Sequence, residues 1–143
     1  MAKDGKHVIH AGGIFPNPLL NREGAAAAVT LPGTIGFFDA GKFTASVAGA
    51  ESAILYVANM DYLRCMGADD AIAVGEHVVA IQPLPGLFLN VRAAAGIYTK
   101  GQPVAVASGR ITAVADGAAV FAYVEEDRAT TAAAGDLIRV VFK

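Results

Sequence analysis

From residue 26 to residue 142 the chain is a succession of short apolar runs, each cut off by glycine, proline or an aspartate-glycine pair before it reaches the length of an ordinary helix. Such punctuation confines it to strands and tight turns. Runs fall near 27–31, 34–38, 42–47, 53–58, 71–82 and 87–93, with breaks at Pro32-Gly33, Asp39-Ala40-Gly41 and Pro83-Leu84-Pro85-Gly86. Between 103 and 125, Ser108-Gly109 and Asp116-Gly117 each separate two runs of β-branched and small residues, which predicts a three-strand meander. In the last run, 137–142, alternation puts Ile138, Val140 and Phe142 on one face and Leu137, Arg139 and Val141 on the other. The expected fold is all-β, a jelly-roll or Greek-key-like sandwich or barrel of about eight or more strands with an extended N-terminal arm.

The arm is expected over residues 1–24, where Gly5, Gly12, Gly13, Pro16 and Pro18 break any regular period, and a single β domain over 25–143. The apolar anchors of the arm are Ile14, Phe15, Leu19 and Leu20. Such an arm packs back on its own domain or reaches a neighbouring molecule, and these four residues are the candidate contacts with a partner.

Of the 143 residues, 55% are hydrophobic and only 17% charged, so the surface carries little charge and part of it is expected to be covered by a partner. The net charge of −2 gives no attraction to a phosphate backbone, and nucleic acid is not an expected partner. No run approaches a membrane span, no secretory signal opens the chain, and a lone cysteine, Cys65, excludes an intrachain disulfide. A soluble protein made in a bacterial cytoplasm is expected.

No enzyme motif survives inspection. His7 and His10 have the spacing of two metal ligands but lack a third, and Glu76 and His77, adjacent on a strand, point to opposite faces. Asp69-Asp70 and the 125–128 cluster Glu-Glu-Asp-Arg follow no calcium-loop spacing and read as solvated turns or an interface rim. Cys65 reads as a small buried apolar residue. The stretch 96–101 has phosphate-loop glycines, but Gln102 and Pro103 stand where lysine and a hydroxyl residue are needed. Phe121 with Tyr123, and Phe37 with Phe38, read as core or interface aromatics rather than a stacking platform. Neither a cofactor nor a metal is expected, and no catalytic role. A short echo links 73–81 with 133–141, where Gly75-Glu76 and Gly135-Asp136 each introduce a strand.

Gly101-Gln102-Pro103-Val104, the Asp116-Gly117 turn, the run 120–124 and the ending 130–142, with Gly135-Asp136 before an alternating strand, resemble the capsid decoration, or cement, proteins of tailed bacteriophages. The resemblance covers about the last third of the chain. It implies a structural virion protein, a homodimer or homotrimer, bound to the major capsid protein on the outer capsid surface at seams between subunits, where it stabilises the expanded shell. The alternative is a β-barrel module that binds a ligand or carbohydrate.

Overall fold

The computed structural model describes residues 5–14 and 21–143. In chain order the strands are β1 (His10–Gly13), β2 (Asn21–Ala26), β3 (Ile35–Asp39), β4 (Lys42–Ala45), β5 (Tyr56–Ala58), β6 (His77–Ile81), β7 (Leu87–Arg92), β8 (Gly96–Tyr98), β9 (Pro103–Ala107), β10 (Arg110–Ala113), β11 (Ala122–Val124), β12 (Thr130–Ala132) and β13 (Leu137–Val141). A short 3-10 turn, Tyr62–Arg64, lies between β5 and β6. The all-β architecture is the expected one. It consists of a closed barrel in the order β2-β4-β3-β5-β6, a six-stranded sheet in the order β1-β7-β13-β11-β9-β10, and a two-stranded β8–β12 sheet.

The small barrel is filled by few, well-placed groups. Ala26, Phe43, Ala58, Ile72, Val78 and Ala80 form its core, and Phe38 and Tyr56 pack against them. Phe38 meets Phe43 and Tyr56 edge-on, at 5.6 and 5.3 Å between ring centroids, an arrangement favoured by the ring quadrupoles. Glycine at position 36 makes room for this. A Cβ there would strike the Thr44 carbonyl and come within 2.7 Å of the Phe43 ring.

A larger cluster joins the barrel to the sheet. Ile35, Val57 and Ile81 leave the barrel wall to pack with Leu87, Leu89, Val91, Ile138, Val140 and other residues of the sheet. The run Val78–Ile81 is therefore continuous rather than alternating, because β6 is buried on both faces: Val78 and Ala80 point into the barrel and Ile81 toward the sheet. In β13 and the residue after it the anticipated alternation holds for Ile138, Val140 and Phe142, which are buried, but Leu137 is buried as well.

The Ser108-Gly109 pair forms the predicted hairpin between β9 and β10, with both residues at positive φ, 50° and 74°, as a type I′ turn needs. The predicted meander stops there. Asp116-Gly117 does turn the chain, but β11 pairs with β9 and β13, not with β10. The free side of β10 is already occupied, since Ala94 N–H donates to the Ile111 carbonyl at 2.8 Å, and β11 must cross to the opposite edge of β9.

The segment expected as an arm contributes two strands. β1 runs antiparallel to β7, and β2 antiparallel to β6 and parallel to β4. β2 is thus the strand that closes the barrel, and the boundary expected between residues 24 and 25 falls inside it.

Candidate functional site

Two surfaces stand out, one apolar and one polar. The apolar surface lies on the side of the barrel where β6 begins. Residues 26–30 run antiparallel to 72–76, joined by Thr30–Ile72 hydrogen bonds in both directions, by Gly75 N–H to the Ala26 carbonyl and by Ala26 N–H to the Glu76 carbonyl. This ladder leaves Val29 at 66% and Val74 at 62% exposure. Glu76 then pairs with Arg64 at 2.8 Å, which brings the 3-10 turn alongside, and Tyr62, Leu63 and Met66 are exposed there too. The ladder and the turn tied to it by the Arg64–Glu76 pair form a ledge that carries these five exposed apolar side chains.

The turn is held by local hydrogen bonds. Asp61, itself buried, caps it by accepting from Arg64 N–H at 3.2 Å and from Arg64 Nε at 2.6 Å. The side-chain bond to Arg64 is the main cause that holds the Asp61 carboxyl below its usual range. Cys65 closes the turn in the left-handed region at φ 59° and is exposed. The expectation of a buried cysteine is therefore corrected: the cap position, not hydrophobicity, places it.

The polar surface is a cleft of about 840 Å³ between the Gly5–Val8 segment and the 126–131 loop, with Asn90 and Arg139 from adjacent strands of the sheet beneath. Its walls are braced by ion pairs. Lys6 Nζ lies 3.0 Å from Glu126 Oε1, with both side chains largely buried, and the same oxygen accepts from Arg139 N–H at 2.8 Å. Arg139 also donates to the Glu125 carbonyl at 2.7 Å and to Asp127 at 3.0 Å. Glu126 is accordingly a buried structural acceptor rather than the solvated turn residue expected from sequence. Glu125 pairs with Lys100 at 2.7 Å.

Of the four expected contact residues, Ile14 is exposed, and its N–H donates to the Gly86 carbonyl at 2.9 Å. Its side chain covers Gly86, where a Cβ would come within 2.7 Å of Ile14 Cδ1. Phe15, Leu19 and Leu20 lie outside the described residues.

The other candidates are dispersed. His10 Nε2 sits 3.3 Å from the Ile14 carbonyl. Glu76 and His77 diverge as strand geometry requires, Glu76 to Arg64 and His77 to Glu23 at 3.4 Å. Among the described residues no group of three His, Cys, Asp or Glu converges as a metal set would. Phe121 packs edge-on against Phe142 at 5.2 Å, whereas the Tyr123 ring lies under the Lys143 ammonium at 4.2 Å, so these two aromatics form no common platform.

The echo between the two glycine-acid turns is real in three dimensions. Gly75 and Gly135 have φ of 81° and 92°, and Glu76 and Asp136 N–H donate to the Ala73 and Ala133 carbonyls, each at 3.1 Å. Only Asp136 returns a side-chain bond, to Ala133 N–H at 2.8 Å. Among the described residues no helix is long and apolar enough to cross a membrane.

No protein-family model matches the chain, and no curated protein matches it in sequence.

Proposed function

We propose that this protein is a structural component of a tailed-phage virion, which binds the outer capsid surface at seams between major capsid subunits and stabilises the expanded shell. The observation that carries the reading is the apolar ledge. Val29, Val74, Leu63, Tyr62 and Met66 are all exposed on the 26–30/72–76 ladder and on the turn that the Arg64–Glu76 pair ties to it, on a chain with few charges, and large apolar side chains left exposed on neighbouring segments support a surface meant to be covered. The likeness of the last third of the sequence to cement proteins points to the same role.

In this reading the mechanism is thermodynamic. A protein that binds the expanded lattice and not its precursor shifts the balance toward the expanded form by mass action, and each copy gains from touching more than one subunit. Self-association as a dimer or trimer multiplies those contacts. Ile14, Phe15, Leu19 and Leu20 are the further residues assigned to capsid contact in this reading.

The test is co-sedimentation of the purified full chain with expanded shells that lack it, followed by melting of the shells. Saturable binding with a raised shell melting temperature is the expected result. Failure to bind the cognate shell at micromolar concentration would overturn the proposal. Within a positive result, a Phe15→Ser, Leu19→Ser, Leu20→Ser variant that bound as well as the natural chain would remove those residues from the contact surface.

A further inference from the structure

One turn of the surface combines exposure with a reactive pair of residues. Between β10, which ends at Ala113, and Phe121, whose N–H donates to the Val104 carbonyl at 2.8 Å, residues 115–120 are all exposed. Ala118 N–H closes a β-turn on the Ala115 carbonyl at 3.0 Å, with Asp116 and Gly117 at its centre and Gly117 at φ 78°. Among the described residues the Asp116 carboxyl has no hydrogen-bond or ion-pair partner. Other aspartates are held: Asp61 by Arg64, Asp70 by Gly67 N–H, Asp127 by Arg139 and Asp136 by Ala133 N–H. A Cβ at Gly117 would meet nothing within 4 Å, so neither a side chain of its own nor a neighbouring element crowds Gly117.

We propose that Asp116-Gly117 is a site of spontaneous backbone modification, at which aspartate converts to isoaspartate in the folded protein. The Gly117 nitrogen attacks Asp116 Cγ. The new N–C bond closes a cyclic imide, and the nitrogen's proton leaves with the hydroxyl of the protonated carboxyl as one water. Water then opens the imide. Its attack at Cγ restores aspartate, whereas attack at the main-chain carbonyl carbon frees that carboxylate and leaves the chain running through Cβ and Cγ. Nothing is oxidised or reduced, and the mass returns to its starting value. Glycine matters because a side chain on the attacking residue crowds ring closure. The ring also requires Asp116 to rotate out of the turn, and the Ala118–Ala115 bond is what opposes that. Exposed segments with few buried contacts open at little cost in free energy. β11 is fixed independently by β9 and β13, so the loop absorbs the longer backbone and the product accumulates in native molecules.

This site is separate from the apolar ledge and does not depend on shell binding. The test follows the full chain through incubation in warm, mildly acidic buffer, beside the isolated tryptic peptide 111–128. The fraction that still elutes as folded protein is digested with trypsin, and electron-transfer fragmentation of the same peptide tells isoaspartate from aspartate at positions 116 and 127. The expected result is isoaspartate at 116, formed in the folded chain within about tenfold of its rate in the peptide. Asp116→Glu, exposed and therefore harmless to the fold, should form no corresponding product, because its longer side chain closes the ring far more slowly. Folded chain without isoaspartate at 116, at a time when the isolated peptide has largely converted, would overturn the proposal. Equal formation at 116 and 127 would also overturn it, since exposure alone, and not the Asp-Gly pair, would then be the cause.

Discussion

Arg92 Nε donates to the Pro32 carbonyl at 2.7 Å, and this bond ties the end of a sheet strand to the turn that leads into the barrel. The same guanidinium donates to the Gly135 carbonyl at 3.0 Å and to the Ala68 carbonyl, with Asp69 at 3.4 Å. Three loops remote in sequence thus converge on one planar fork. Burial lowers the Arg92 pKa and Asp69 opposes that shift, but a guanidinium stays charged at any pH at which the protein folds. Lysine cannot span the three carbonyls, since it offers a point charge on a flexible stem. Arg92→Lys is expected to cost about 3 kcal/mol, the scale of breaking a buried charged network. A urea midpoint unchanged from that of the natural chain would show that the loops are held by something else.

Glu51 provides a pH-dependent contribution. Its carboxylate accepts from the Ser46 hydroxyl at 2.7 Å and from Ala48 N–H at 2.9 Å, and these bonds, the Ser46 one foremost, lower its pKa from 4.5 to about 2. A depressed carboxyl pKa stabilises the fold above the unfolded value and ceases to do so as pH falls through the folded one. The contribution is therefore complete above about pH 5 and disappears between 4.5 and 2. Glu51 is exposed at the surface, and solvent screening reduces the effect to about 1 kcal/mol. The unfolding free energies of the natural chain and Glu51→Gln should differ by that amount at pH 7 and converge near pH 2. A difference independent of pH would reject the assignment.

Local chemistry was readable and long-range pairing was not. Ser108-Gly109 announces its hairpin because two consecutive left-handed residues have few other uses, and Ile138, Val140 and Phe142 announce a buried face by alternation alone. By contrast, nothing near Asp116-Gly117 tells β11 that the neighbouring edge of β10 is taken by Ala94. Residues 10–13 and 21–24 read as an arm because glycines and short polar stretches lack a strand pattern. Their pairing is dictated instead by the edges of β7 and β6. The cleft was hidden for the same reason: Lys6, Asn90, Glu126 and Arg139 meet only after folding, and Asn90 sits between Leu89 and Val91 in a strand.

Because β2 closes the barrel, removal of residues 1–24 should do more than take away an arm. Such a chain keeps only Ala25 and Ala26 of β2, which still face Lys42 and Phe43 of β4, but leaves the β6 edge from Val78 to Ile81 unpaired and loses β1 from β7. It also loses Lys6, the cation beside the buried Glu126. The truncated protein is expected to show no cooperative thermal transition. A sharp melt within a few degrees of that of the full chain would mean that 25–143 folds by itself.

The ledge makes the sharpest separation between stability and binding. Val74 and Leu63 are each 62% exposed, so Val74→Asp and Leu63→Asp should change folding stability by no more than about 0.5 kcal/mol. If the ledge is buried against capsid subunits, a carboxylate there must be desolvated without a partner, and shell affinity should fall at least tenfold, about 1.4 kcal/mol. Ile97, 65% exposed on β8, lies on the small two-stranded sheet and serves as the control: Ile97→Asp should leave shell binding unchanged. Equal losses from all three substitutions would point to a general effect of added negative charge, and no loss from Val74→Asp and Leu63→Asp would remove the ledge from the interface.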